Sequence, residues 1–107
     1  MGLFSLFGNK GMDAYVAEAA QLGAVLIDVR EPGEFAGGHV PGAISIPVGS
    51  VEGAKELPAS KTEPLYVYCQ SGMRSSKACG KLQKLGYQNV VNIGGISSYS
   101  GQVVTGN

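Results

Sequence analysis

The chain has 107 residues, 44% of them hydrophobic, with eight acidic and eight basic side chains, a net charge of zero and two cysteines. This describes one domain able to bury a core; the chain is too apolar for disorder and has no apolar run near membrane-spanning length. Two cysteines argue against a disulfide framework and suit a reducing compartment, so a cytoplasmic location is expected, without stable membrane association. Nucleic-acid binding is excluded by the absent net positive charge and by the lack of aromatic residues among the lysines.

Residues 1–10 read as a flexible tail and 11–107 as the domain. The stretch Met1 to Gly8 is apolar but too short and uncharged for a signal peptide, and Leu6 stands where a myristoylation site needs Ser or Thr. Met12 to Leu22 is helix-like, with Asp13 as the expected N-cap and Gly23 as the stop. Ala24 to Val29 is a continuous apolar run interrupted only by Asp28, as in a strand buried on both faces. Pro32 to Ala36 suits a short helix opened by proline. Ala43 to Ile46 reads as a strand closed by Pro47, and Val48 to Leu57 as a weak helix ended by Pro58. Leu65 to Cys69 is the expected central strand. The helix after it runs from Met73 to Leu85, with Ala78, Leu82 and Leu85 on one face and Gly86-Tyr87 as its cap. Val90 to Ile93 is the last strand, and Gly94-Gly95 leads into an irregular, serine-rich end.

Alternating apolar strands and helices predict an α/β fold in three layers, a mostly parallel sheet with helices on both faces. In such sheets ligands gather beyond the carboxyl ends of the strands, where Cys69 lies and where Asp28 also ends a strand.

The segment Cys69-Gln70-Ser71-Gly72-Met73-Arg74-Ser75 carries the chemistry. A cysteine between a strand end and a helix N-terminus faces unpaired N–H groups and the positive end of the helix dipole, which favour a thiolate. Gly72 permits backbone angles that turn successive N–H groups inward as an anion nest, and Arg74 adds a cationic fork. Cys79, beside Ala78 and Leu82, reads as a buried apolar residue and not as a second thiol of the site. Asp28, Arg30, Glu34 and His39 read as a structural network, with Arg30 paired to a carboxylate and His39 hydrogen-bonded at the turn before Pro41. A single histidine without partners at ligand spacing argues against a metal site.

The charges are unevenly placed. All eight acidic residues precede residue 64, while Arg74, Lys77, Lys81 and Lys84 follow it, spaced as one stripe on a helix. The half bearing the reactive loop is therefore positive and attracts anionic substrates, less so at high salt.

Two motifs in this order resemble the single-domain rhodaneses, sulfurtransferases of the thiosulfate:cyanide type. Asp28-Val29-Arg30-Glu31-Pro32-Gly33-Glu34-Phe35 through Gly38-His39-Val40-Pro41-Gly42-Ala43 and Ile46-Pro47 is similar to the family's D-x-R-x-x-x-E-F-x-x-G-H-(I/V)-x-G-A-x-N-(I/L)-P, with Ser45 in place of asparagine. Cys69 to Ser75 matches C-x-x-G-x-R-(S/T). The similarity runs from about residue 12 to 101, and Tyr99 stands where the family often has tryptophan. The resemblance implies the rhodanese-like fold, no cofactor, and a double displacement. Cys69 would take a sulfane sulfur from a donor such as thiosulfate as a persulfide, cradled by Gln70, Ser71, Gly72, Met73, Arg74 and Ser75, and pass it to cyanide or a thiol. A protein sulfur donor or acceptor is also compatible, which leaves a sulfur-carrier or docking module as an alternative. Related phosphatases and arsenate reductases have a cradle one residue longer; this shorter loop favours sulfur, although Asp28 and Glu34 remain candidate proton donors for the other chemistry.

Overall fold

The computed structural model describes residues 10–107; the rest of the expected tail lies outside the described residues. Helix α1, Met12–Leu22, follows Gly11 in extended backbone and has no side-chain cap. Asp13, the expected N-cap, sits instead in the first turn and accepts hydrogen bonds from the backbone N–H and hydroxyl of Ser100. The helix starts earlier because Met12 joins Tyr15 and Ala19 on the buried face, at helical spacing. Gly23 ends it in the left-handed region, as expected (φ 65°).

Strand β1, Val25–Asp28, leads to α2, Pro32–Gly37, which opens on a capping box between Glu31 and Glu34. Strand β2 is Ile44–Ser45. The helix expected over Val48 to Leu57 is only a 3₁₀ turn, Val48–Gly53, with Ala54 already extended. Gly49, Ser50 and Gly53 are poor helix formers, so only a tight turn forms, although Val48, Val51, Ala54 and Leu57 all pack against the core. Strand β3, Leu65–Cys69, is followed by α3, Met73–Lys84, and β4, Val90–Gly95. A 3₁₀ turn, Ile96–Ser98, comes last, and beyond it Val104 pairs with His39 in an isolated antiparallel bridge.

The four strands lie in the order β2-β1-β3-β4, and every neighbouring pair is parallel. Side-chain alternation on the central strand divides the core in two. Leu65, Val67 and Cys69 face α3 with Ala78, Cys79 and Leu82; Tyr66 and Tyr68 face α1 with Met12, Tyr15 and Ala19. Tyr99 is partly buried against this second cluster, consistent with packing in place of a tryptophan. All five residues of β3 are buried, so the strand leading to Cys69 is fixed from both sides.

Candidate active site

The parity that fills the core also aims Cys69. Its side chain points toward α3, directly beneath the loop joining β3 to that helix, and the residue is only 1% exposed. Gly72, the N-cap of α3, has φ 103° and ψ −8°, a conformation that side-chain-bearing residues rarely adopt. This turns its N–H back onto Cys69 Sγ at 3.0 Å. The Ser75 hydroxyl lies 3.4 Å from the same sulfur, and the backbone N–H groups of Ser71 and Ser75 also face it. Burial, the largest single influence, pushes the Cys69 thiol up; the Ser75 hydroxyl and the N–H groups of Ser75, Gly72 and Ser71 together outweigh it and bring the thiol below its ordinary range. Cys79 has no such donors, and burial with the nearby Cys69 pushes its thiol up to about 12.

The other loop residues face elsewhere. The Gln70 side chain is exposed near Arg30, and its carbonyl accepts from Ser97 N–H at 3.2 Å. Met73 is 80% exposed at the lip of the loop. Arg74 reaches across to α2 and grips Glu34 with two bonds, at 2.7 and 3.1 Å. Glu34 is thereby held at a pKa of about 2, first by Arg74 and then by the Glu31 N–H, so it is an anion with no proton to donate. Asp28 is likewise engaged, gripping the Arg30 guanidinium at 2.7 Å with both residues buried. Of the two acids considered as proton donors, each is held by an arginine. His39 stacks on Phe35 and donates from Nδ1 to the Phe35 carbonyl at 2.8 Å. Lys81 bonds to the Val48 carbonyl and to Glu52, so the lysine stripe is partly neutralised within the fold.

Sequence reasoning missed two contributors, both on β4. A register shift between Val67 and Tyr68 pairs Val67 with Asn92 and Tyr68 with Gly94, carrying Gly94-Gly95 under the loop. A Cβ on Gly95 would lie 2.2 Å from the Gln70 carbonyl oxygen and 2.5 Å from Ser71 Cα, so only glycine fits there. The Asn92 side chain meets both Gly72 and Ser75. The readable signal was a polar residue on the core-facing register of an otherwise apolar strand.

Among the described residues no group of three or more His, Cys, Asp or Glu is placed to hold a metal ion, and no helix is long and apolar enough to cross a membrane.

The model of the rhodanese-like domain matches residues 12–102. The chain is 45% identical over 83 residues to a protein of Schizosaccharomyces pombe named a putative mitochondrial thiosulfate sulfurtransferase, covering 66% of this chain and 58% of that one. It is 39% identical over 69 residues to a putative sulfur carrier protein of Bacillus subtilis, YrkF, covering 64% of this chain and 36% of that one. It thus spans about half or less of the length of these two relatives. A solved rhodanese from E. coli, determined with anions, superposes with a TM-score of 0.71 at 36% identity, covering 78% of this chain and 99% of the other. With the parallel sheet, the strand-end cysteine and a family match over most of its length, the chain belongs to the rhodanese-like family.

Proposed function

We propose that this protein is a sulfurtransferase that carries a sulfane sulfur as a persulfide on Cys69. A role in sulfur transfer is supported by the family and by the names of its relatives. The observation that carries the finer reading is the set of donors around one buried sulfur: the Gly72 N–H at 3.0 Å, the Ser75 hydroxyl, and the N–H groups of Ser71 and Ser75. In this reading the Cys69 thiolate attacks the outer sulfur of thiosulfate. The donor's S–S bond breaks, sulfite leaves with the bonding pair, and the enzyme keeps one sulfur as an anionic persulfide. The inward-turned N–H groups of Ser71, Gly72 and Ser75 stabilise that anion as an oxyanion hole would. Cyanide or a thiolate then attacks the outer sulfur, and Cys69 departs as the thiolate with which it began. Arg74, tied to Glu34, holds the far end of the loop. Lys77, on the next turn of α3, adds to the field that draws in an anionic donor.

Phosphatase or arsenate reductase chemistry is disfavoured by the six-residue cradle and by the arginine pairing of both candidate acids. A second reading, a carrier that hands sulfur to a partner protein, is favoured by Met73, whose large apolar side chain stands in solvent at the cradle lip.

Intact mass spectrometry tests the proposal. Thiosulfate should add the mass of one sulfur atom to the wild type and to Cys79→Ser, and cyanide should remove it. Cys69→Ser should add nothing, because a hydroxyl does not ionise at neutral pH. Sulfur on folded Cys69→Ser would sink the assignment. A persulfide that forms but resists cyanide would select the carrier reading.

A further inference from the structure

We propose that Asn92, on β4, is a positioning residue for the Cys69 cradle, fixing Gly72 and Ser75 at the same time through the two ends of one side-chain amide. Its Nδ2 donates to the Gly72 carbonyl at 3.1 Å. Its Oδ1 accepts from the Ser75 hydroxyl at 2.7 Å and from the Gly94 N–H at 3.0 Å. Gly72 and Ser75 each place a polar atom against Cys69 Sγ, the Gly72 N–H at 3.0 Å and the Ser75 hydroxyl at 3.4 Å.

The arrangement anchors the start of α3 from a neighbouring strand. Its N-cap is a glycine with no side chain to secure the first turn. Asn92 reaches over from the neighbouring strand, holding the N-cap carbonyl and the third residue of the helix. The Gly72 carbonyl thus has two donors, Asn92 Nδ2 and the Ser76 N–H at 3.1 Å, so its peptide plane cannot swing. The residue whose N–H meets the sulfur is held in its left-handed conformation from both sides.

The Ser75 end does different work. A hydroxyl has one proton, and three acceptors lie around it: Asn92 Oδ1 at 2.7 Å, Cys69 Sγ at 3.4 Å and, farthest, the Gly94 carbonyl at 3.5 Å. While the sulfur carries its own proton, Ser75 donates to Asn92 and receives the S–H. When the sulfur becomes an anion, Ser75 turns to donate to it, and Asn92 Oδ1 keeps the Gly94 N–H. The amide therefore senses the charge on a sulfur it does not touch. None of the titratable side chains on α3 or β3, nor Glu34 on α2, Asp28 at the end of β1 or Arg30 beyond it, is a hydrogen-bond partner of Asn92. Neither apolar packing nor strand pairing calls for an amide here. Its strand neighbours Val90, Val91 and Ile93 are buried hydrophobics.

The inference rests on Cys69 as the reacting thiol, but its test reads ionisation and not sulfur transfer, so either can fail alone. The pH dependence of Cys69 alkylation by iodoacetamide is followed by peptide mass spectrometry, which separates it from Cys79. Asn92→Asp keeps the acceptor, removes the donor to Gly72 and adds a negative charge one hydroxyl away from the sulfur; it should raise the midpoint by about one pH unit. Asn89→Asp makes the same charge change where the side chain bonds only the Thr62 carbonyl, at an exposed site, and should leave the midpoint in place. A folded Asn92→Asp with the wild-type midpoint overturns the proposal. Should that variant not fold, the wild type suffices: in isotope-labelled protein the Asn92 side-chain amide resonances should titrate with the same midpoint as Cys69 alkylation. Amide resonances unmoved through that titration would equally overturn it.

Discussion

Replacing Gly95 with alanine tests whether β4 shapes the loop that follows Cys69. The new Cβ would stand 2.2 Å from the Gln70 carbonyl oxygen, 2.5 Å from Ser71 Cα and 2.6 Å from the Gln70 carbonyl carbon. All three are backbone atoms, so no rotamer change relieves the overlap. Ordinary contact begins near 3.4 Å, so the Gln70 carbonyl must retreat by about 1.2 Å. That retreat strains the bond it accepts from Ser97 N–H and moves the residues that follow Cys69. Overpacking of this kind costs about 1–3 kcal/mol, and each kcal/mol lowers the melting temperature of a domain this size by roughly 4–8 °C. A misplacement of about 1 Å in a reacting geometry costs on the order of 10²-fold in rate. Gly94→Ala is the comparison: its φ of 101° strains any side chain, yet nothing lies within 4 Å of the added Cβ. That variant should lose about 1–2 kcal/mol of stability while keeping most of its loading rate. The assay is the rate of persulfide formation from thiosulfate by quenched intact mass spectrometry, alongside thermal melts by circular dichroism. If Gly95→Ala loads sulfur at the wild-type rate, the argument that β4 sets the loop's position is wrong.

Two further predictions concern ionisation. Glu34 has its pKa lowered from 4.5 to about 2, chiefly by Arg74, so its contribution to stability is present above 4.5 and lost as the pH falls toward 2. Both partners are about one-third exposed, so the pair is worth less than about 1 kcal/mol; the gap between wild type and Glu34→Gln in urea unfolding should close in acid. A gap that persists there would assign the effect of Glu34 to packing. Cys79, raised by burial to about 12, contributes fully below the ordinary thiol value of 9 and loses that contribution as the pH rises toward 12. Wild-type stability should therefore fall relative to Cys79→Ala by up to about 1.4 kcal/mol per pH unit above 9, narrowing or reversing the variant's deficit. An unchanged difference between pH 8 and about pH 10.5 would mean that the Cys79 thiol is not shielded.

Much of this protein is written in short stretches of its sequence. The period-2 alternation of Leu65-Tyr66-Val67-Tyr68-Cys69 defines a strand buried on both faces and directs Cys69 to the side opposite the tyrosines. Gly72, three residues on, marks the left-handed turn that brings an N–H onto the sulfur. Both are local signals, because parity and a positive φ are properties of neighbouring residues. The Val48 to Leu57 segment shows where local reading fails: Val48, Val51, Ala54 and Leu57 pack against the core as a helix face would, yet the backbone forms only a 3₁₀ turn that ends at Gly53. Asp13 fails similarly, since the buried Met12 fixes where α1 begins and Ser100, 87 residues away, takes its carboxylate. What the tertiary structure alone decided is which distant groups complete the loop. Asn92, Gly95 and Glu34 lie 20 or more residues from Gly72, Gln70 and Arg74, the residues they hold, approach or pair with. Nothing in their own neighbourhoods records that juxtaposition. It follows from the strand order β2-β1-β3-β4 and the register shift in β4, which set strands and helices distant in sequence side by side at the carboxyl edge of the sheet.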